Sequence, residues 1–567
     1  MDKSTLERIN NWKNQSNLVS YLKEELNNLK EDELNDAFYK DLEFGTGGMR
    51  GVIGVGTNRM NIYTLRSANY GYSMYLLRSK GERSVVIAYD CRRRSLEFAK
   101  ESARVLAKYN IKVYLFDKIT PTPELSFAVR FLHATGGIVV TASHNPPQYN
   151  GYKIYDDTGC QLVPDKAEIV IDEIKNAPDP FTMELEDFDD LVKSGKVEIV
   201  GEKIDKAYLE CVKGIQVHPE LDKDNFRVAF TSLHGTSAYL GQRLLNELGY
   251  TFTPVKEQMV ADSEFSTVKS PNPEDPRAFD LAISYAKSDK CDIIIATDPD
   301  ADRVGLAVRD KDGSYKLLTG NQTGALLIYY LCNNRKVDKK GVVFNTIVTS
   351  PLGVEIAKSF GMESFSTLTG FKYIGEQATL LENSKDKMFY FGYEESYGYV
   401  VKDFVRDKDS LQALLLCSEM ANFYKKNGKD LLEVLDEIYQ KYGYYKEDLV
   451  NIALAGEEGA KKIERILDYF RSVNDFYNDD FKVVRKEDYL LRVSKDYLNK
   501  KEEKITLPVS NVIKYFLSDG SWFVLRPSGT EPKMKVYISS VSKNKCCSEK
   551  RTNDIKEFVL KIVNDIE

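Results

Sequence analysis

Six short apolar runs, rich in Val and Ile, set the framework of this chain. Ser84–Tyr89 (SVVIAY), Ile111–Phe116, Gly137–Thr141 (GIVVT), Phe226–Thr231, Cys291–Thr297 (CDIIIAT) and Val342–Val348 all read as strands. A strand with one wet face alternates apolar and polar residues. Continuous Val/Ile runs instead mark strands covered on both faces. Between the runs come polar or glycine-rich turns and then helical periodicity, as in the turn Asp90–Ser95 and the helical stretch to Lys108. That succession predicts mostly parallel sheets clad in helices, in three α/β units up to about residue 445. Residues 446–567 read differently: helical segments, then Trp522–Leu525, then Lys533–Ser539 (KMKVYIS), then a last helix. This order predicts a small α+β domain. The length of 567 residues suits about four domains. The expected divisions are 1–205, 206–320, 321–445 and 446–567.

Composition narrows the function classes. Lys and Arg total 79 against 86 Asp and Glu, a formal net charge of −7, which disfavours a nucleic-acid binder. The apolar runs Ala325–Cys332 and Ala413–Cys417 are too short to span a bilayer. The first residues, MDKSTLERINNWKNQSN, have no apolar core of a signal peptide. Eight scattered cysteines without a C-x-x-C pair read as free thiols in a reducing compartment. The expectation is a cytoplasmic multidomain enzyme with no membrane or nucleic-acid partner.

In open α/β sheets, ligands bind beyond the carboxyl ends of strands. Four loops at such positions carry chemistry. Thr141-Ala142-Ser143-His144-Asn145-Pro146-Pro147 follows a strand and leads into Tyr149-Asn150-Gly151-Tyr152-Lys153. It presents Ser143 as an oxygen nucleophile, or else forms an Asn/Pro turn with a capping serine; no G-x-S-x-G elbow surrounds it. Asp298-Pro299-Asp300-Ala301-Asp302-Arg303 directly follows CDIIIAT. Carboxylates at alternate positions after a buried strand repel unless a cation neutralises them. The EF-hand reading fails, because Arg303 and Arg309 stand where Gly and Glu are required. Three carboxylates leave coordination positions open, which suits Mg²⁺ shared with a phosphate oxygen. Gly392-Tyr393-Glu394-Glu395-Ser396-Tyr397-Gly398 suits sugar hydroxyls, or simply a turn or helix start. Arg526-Pro527-Ser528-Gly529-Thr530-Glu531-Pro532-Lys533 is either a phosphate cradle or a surface turn. A nucleophile, a metal site, a polyol reader and a phosphate clamp together point to phosphoryl transfer on a sugar phosphate.

TASHNPP, DPDADR, the E-x-S loop and RPSGTEP, in this order, resemble the motifs of the α-D-phosphohexomutases. Phe44–Gly51 resembles that family's FGT-x-G-x-RG segment, and Thr346–Pro351, Leu368–Lys372 and Arg406–Asp409 also match. The resemblance implies a four-domain, heart-shaped molecule, three α/β mixed-sheet domains plus a C-terminal α+β domain, each giving one loop to a central site. It makes Ser143 the phosphoserine, Asp298, Asp300 and Asp302 the Mg²⁺ ligands together with the Ser143 phosphate, and Arg303 a phosphoserine contact. Glu394 and Ser396 would read sugar hydroxyls. Arg526, Ser528, Gly529 and Thr530 would hold the non-reacting phosphate. Arg50 and Lys153 would lie near the transferring group, with Lys153 as general acid/base. Thr369, Gly370 and Lys408 would help bind substrate.

DPDADR has proline where many mannose-type members have glycine, and GYEESYGY has Tyr397-Gly398 where they have Gly-His. These departures resemble the phosphoglucomutase/phosphopentomutase branch. The implied activity is an isomerase interconverting glucose 1-phosphate and glucose 6-phosphate, with glucose 1,6-bisphosphate as activator and intermediate. Phosphopentomutase, phosphomannomutase and a non-catalytic sugar-phosphate sensor are the alternatives.

Overall fold

The computed structural model describes residues 1–45, 47–454, 456–476, 478–528 and 533–566, with backbone only at 456 and 457. The chain forms two compact units, Met1–Val342 with Gly370–Gly428, and Val343–Thr369 with Lys429–Glu567.

In the first unit, three short helices (Lys3–Lys13, Ser20–Asn28, Glu31–Phe38) precede a six-stranded sheet. Its order is Gly48–Val52, Tyr149–Asp156, Gly136–Val140, Ser84–Tyr89, Lys112–Phe116, Val197–Val200. The last four run parallel, and Tyr149–Asp156 pairs antiparallel with the strand on each side of it. Ser84–Tyr89 is buried from its second residue onward, as its unbroken apolar run requires. Helices Ile62–Leu76, Ser95–Lys108 and Thr122–Phe131 belong to the same region, with Leu65, Phe98, Leu106, Ile87 and Ile138 all fully buried. A second sheet runs Tyr315–Leu317, Val304–Arg309, Ile293–Thr297, Arg227–Thr231, Thr251–Pro254. Here too the parallel strands are joined by an antiparallel edge. A hairpin, Lys387–Glu394 with Gly398–Val400, and the buried helix Ser410–Lys426 complete the unit's main elements.

The sheets are therefore mixed rather than simply parallel, and the antiparallel joints fall at the chemically interesting loops. The Ser143 loop connects Gly136–Val140 to Tyr149–Asp156, the aspartate loop connects Ile293–Thr297 to Val304–Arg309, and the Glu394 loop connects Lys387–Glu394 to Gly398–Val400. Each turns on one non-glycine residue in the left-handed region: Ser143 (φ 52), Ala301 (φ 58) and Tyr397 (φ 65). Such a conformation costs about 1–2 kcal/mol at a residue with a Cβ, so the surroundings must hold it.

The second unit is built on a seven-stranded antiparallel sheet. Its order is Tyr444–Ala453, Lys533–Ser542, Trp522–Pro527, Ile513–Leu517, Val483–Asp488, Val493–Asp496, Lys501–Lys504. Its core joins Phe470 and Leu467 of helix Gly456–Ser472 to Phe523, Ile538 and Val559 of the strands and the last helix, Lys545–Asp565. The α+β expectation holds, but the tail begins with a strand, and four further strands before Trp522 go beyond it. Lys501–Lys504 shows why: KEEK is exposed at every position, so backbone pairing alone makes it a strand. All eight cysteines are free thiols. Among the described residues, no helix is long and apolar enough to cross a membrane.

Candidate active site

The first unit brings three of the four loops together. Ser143 is 3% exposed, and its Oγ donates to Asp298 Oδ2 at 2.6 Å. His144 Nδ1 lies 3.1 Å from the same Oγ. Burial, with Arg303 and Arg50 nearby, holds the His144 imidazole well below its usual pKa, so it is neutral at pH 7.

Asp298 and Asp300 are fully buried and Asp302 nearly so. One carboxylate oxygen of each lies within 4.8 Å of the others. The loop is tied down by its own backbone: Asp302 N and Arg303 N donate to Asp298 Oδ1 at 3.0 and 2.9 Å. Neighbours fix it further. Thr122 donates through N to Asp300 O (2.9 Å) and through Oγ1 to Asp300 Oδ2 (3.1 Å), and Thr236 N donates to Pro299 O (2.9 Å). A Cβ on Gly235 would lie 2.5 Å from Pro299 Cα, so only glycine permits this approach.

Two lysines enter the carboxylates from different segments. Lys153 Nζ reaches Asp300 Oδ2 at 2.8 Å and Asp302 Oδ2 at 3.5 Å. Lys408 Nζ reaches Asp302 Oδ2 and Asp407 Oδ1, both at 3.2 Å. Burial alone would lower both lysine pKa values. Asp300 and Asp302 outweigh it at Lys153, and Asp302, Asp407 and Glu394 outweigh it at Lys408, so both stay ammonium ions. Burial, then Asp300 and Asp302, push the Asp298 carboxyl well above the usual range. Asp300 sits below it, because Lys153 and the Asp298 hydrogen bond outweigh the cost of burial.

Asp300 Oδ1 and Asp302 Oδ1 are buried with no hydrogen bond. Buried acceptors left this way cost about 1–3 kcal/mol each. Hard oxygen donors, crowded and partly unpaired, fit a divalent cation.

Glu394 is buried, and its Oε1 accepts from Gly370 N at 2.8 Å. Burial raises its pKa, although Lys408 and Arg303 oppose the rise. Ser396 is half-buried beside it in sequence. Val304 N donates to Tyr397 O (2.9 Å), joining this loop to the strand that leaves the aspartates. A Cβ on Gly398 would fall 2.1 Å from Lys408 Cδ, which is how that lysine reaches past the hairpin. Arg303 pairs with Glu274 and lies 3.9 Å from Asp302 Oδ1. Arg50 is exposed and donates to Asn145 Oδ1 at 2.8 Å; its strand runs against Tyr149–Asp156 with Gly48 opposite Lys153.

The second unit carries Thr369, Arg526 and Ser528. Thr369 Oγ1 is buried without a hydrogen bond. Arg526, at the end of its strand, donates to Tyr537 Oη at 3.5 Å, and Ser528 N donates to Lys533 O at 2.7 Å. They line an open groove of about 520 Å³ with Asn451, Lys533 and Lys535. Three cations and, among the described lining residues, no carboxylate make the groove suited to an anion. Gly529 and Thr530 lie outside the described residues.

Four domain families match in succession. They are Phosphoglucomutase/phosphomannomutase alpha/beta/alpha domains I (residues 41–180), II (206–313) and III (319–442), and the C-terminal domain (449–560). A phosphoglucomutase from Staphylococcus saprophyticus is 38% identical over 511 residues, 90% of this chain and 92% of its own. One from Staphylococcus aureus (strain MSSA476) is 38% identical over 548 residues, 96% of each chain. The chain belongs to the phosphoglucomutase/phosphomannomutase family. Solved structures agree on the fold. A family protein from Burkholderia thailandensis superposes with a TM-score of 0.66 at 19% identity, covering 92% of this chain and 97% of its own. The exocytosis-sensitive phosphoprotein pp63/parafusin from Paramecium, a phosphoglucomutase in its open form, gives 0.68 at 17% identity, covering 93% and 96%. The chain is thus an enzyme with the phosphohexomutase fold, and its chemistry is that of a phosphosugar mutase.

Several residues around Ser143 and the aspartate loop carry little or no signal in the sequence. Asp90 and Arg92 read as an ordinary turn; their signal is a charged pair at a strand exit, the position that marks the other loops. His144 follows Ser143 directly, but adjacency in sequence does not make it a base. Thr122 and Gly235 carry no signal at all.

Proposed function

We propose that this member of the family is an α-phosphoglucomutase, interconverting glucose 1-phosphate and glucose 6-phosphate through a phosphorylated Ser143 and glucose 1,6-bisphosphate. The observation that carries this is Ser143 Oγ at 2.6 Å from the buried aspartate cluster. Phosphoryl transfer needs little covalent chemistry from the protein and a great deal of positioning and charge neutralisation. Asp298, Asp300 and Asp302, with the Ser143 phosphate, would hold Mg²⁺, which supplies neutralisation of charge on the transferring group.

In the forward step a sugar hydroxyl attacks phosphorus and the P–Oγ bond of Ser143 breaks. Lys153, kept protonated by its two aspartates, would give its proton to Oγ as that bond breaks and take up the proton that the attacking sugar hydroxyl releases, so it ends the step in the form in which it began. Arg50 and Arg303 steady the phosphoryl oxygens. Glu394 and Ser396 bind ring hydroxyls, with Lys408, Thr369 and Gly370 helping to place the sugar. The loop at Arg526, Ser528, Gly529 and Thr530 holds the phosphate that is not reacting. That phosphate sits at either end of the sugar in turn, so the loop must read phosphate rather than ring. We place the enzyme in the cytoplasm, the reducing compartment that suits eight free thiols.

The test is turnover on glucose 1-phosphate, ribose 1-phosphate and mannose 1-phosphate in parallel, with catalytic glucose 1,6-bisphosphate and Mg²⁺. Preference for glucose and loss of turnover in Ser143→Ala are expected. A pentose preference would make the protein a phosphopentomutase instead, and a mannose preference a phosphomannomutase. Activity surviving in Ser143→Ala would remove the phosphoserine mechanism.

A further inference from the structure

The Ser143 loop is held from beneath by a side chain with no part in the transfer chemistry itself. Arg92 stands in the turn after strand Ser84–Tyr89, and its side chain is 0% exposed. Its guanidinium donates to four backbone carbonyls of one loop. Nη2 reaches Ser143 O and Asn145 O, each at 2.5 Å. Nη1 reaches Pro146 O at 2.9 Å and Tyr149 O at 3.0 Å. The Phe265 ring packs 5.0 Å from the guanidinium carbon.

Asp90 sets Arg92 in place and also holds the other flank of the loop. Its Oδ2 lies 3.3 Å from Arg92 Nε, and its Oδ1 accepts from Arg92 N (2.9 Å) and Ser95 Oγ (2.7 Å). Asp90 Oδ2 also accepts from Thr141 Oγ1 at 2.6 Å, and Thr141 Oγ1 accepts from Ser143 N at 2.8 Å. The peptide groups on both sides of Ser143 are thus bonded, its N–H to Thr141 and its carbonyl to Arg92. With both fixed, φ stays at 52°, and the side chain is turned toward Asp298. A relaxed, extended Ser143 would swing its carbonyl away from Arg92 and carry Oγ off the aspartates.

We propose that Arg92, held by Asp90, is a positioning residue for phosphoryl transfer: the fork sets the reach of Ser143 Oγ. The proposal rests on the phosphoserine reading of Ser143. Two features separate it from general scaffolding. All four carbonyls belong to the segment from Ser143 to Tyr149, and three of them precede the strand that begins at Tyr149. Only a planar five-donor group can serve two pairs of carbonyls at once, so lysine keeps the charge and loses the geometry.

The test uses the full-length protein with Arg92→Lys and Thr141→Val. The second variant removes only the hydroxyl that links Asp90 to Ser143 N. Misplacing a reacting atom by about 1 Å costs on the order of 10²-fold in rate. The expected result is a kcat fall of about 30-fold or more in Arg92→Lys and about 10-fold in Thr141→Val. KM for glucose 1-phosphate should stay within about threefold, because no substrate contact is lost. Intact-mass measurement after addition of glucose 1,6-bisphosphate should show Ser143 phosphorylated more slowly in both variants. Circular dichroism and thermal unfolding check the fold; if Arg92→Lys fails to fold, Thr141→Val decides alone. Wild-type kcat in folded variants, or a loss carried by KM, overturns the inference while leaving the phosphoserine intact. A wild type that takes up no phosphoryl group overturns both.

Discussion

The two units bury lysines in opposite ways. In the first unit, Lys153 and Lys408 have side chains 14% and 13% exposed and face carboxylates, which hold their pKa values above normal. In the second, Lys486 and Lys514 are 5% and 8% exposed and face backbone carbonyls. Lys486 Nζ donates to Phe470 O, Arg471 O and Val473 O, closing the end of helix Gly456–Ser472. Lys514 Nζ donates to Ile347 O at 2.6 Å and lies 4.2 Å from the Trp522 ring centroid. Burial outweighs the carboxylates near these two, and both are pushed down to about 8. The partner, not the depth, decides what a buried lysine is for. Carbonyls give a structural cap. Crowded carboxylates signal a place where charge is collected for chemistry.

Breaking the carboxylate side should have the largest effect. Asp300→Asn removes both a proposed cation ligand and the charge that holds Lys153, and turnover should fall by about 10³-fold in a coupled assay. Lys153→Met spares the aspartates but removes the proposed proton carrier; a fall of about 10²-fold in kcat is expected, with KM changing less. If Lys153→Met turns over at the wild-type rate, Lys153 belongs with the structural lysines. Arg526→Ala tests the groove cation of the second unit. Losing the proposed charge-assisted bond to phosphate is worth about 1.5–3 kcal/mol, so KM should rise about 10- to 100-fold.

The smallest effect on turnover is expected from Lys514→Met, where the readout is stability against pH. The folded pKa, about 8, lies below the ordinary 10.5. Below pH 8 both states carry the proton and the full cost of burying the ammonium is present. Between pH 8 and 10.5 the folded state sheds its proton first, so wild type gains stability relative to Lys514→Met, by up to about 3 kcal/mol. Urea midpoints of the two proteins at about pH 7.5 and about pH 10 check the sign. A constant difference would mean that Lys514 is not desolvated.

The strands of the first unit were legible because their burial on both faces writes itself into the sequence as unbroken runs such as IIIAT. The tail was less legible for the converse reason. KEEK and the half-exposed YYKEDLVNIA are strands because neighbouring backbones pair with them, and backbone pairing leaves no side-chain pattern. The aspartate loop was legible because three like charges after a buried strand need an explanation by themselves. Arg92 was not, because a guanidinium that bonds carbonyls 51 or more positions away looks in the sequence like any surface arginine.

The order of residues along the chain already says which residue types stand at the ends of which buried strands, and hence the class of chemistry. Tertiary structure alone decided the pairings: Ser143 Oγ on Asp298, Lys408 arriving at Asp302 past Gly398, and the Asp90–Arg92 frame under the serine. The reason is physical. Periodicity reports how deeply a segment is buried, which is a local property. A hydrogen bond or ion pair between distant segments depends on where the sheets place them, and on tight hairpins whose left-handed residues only those contacts can hold.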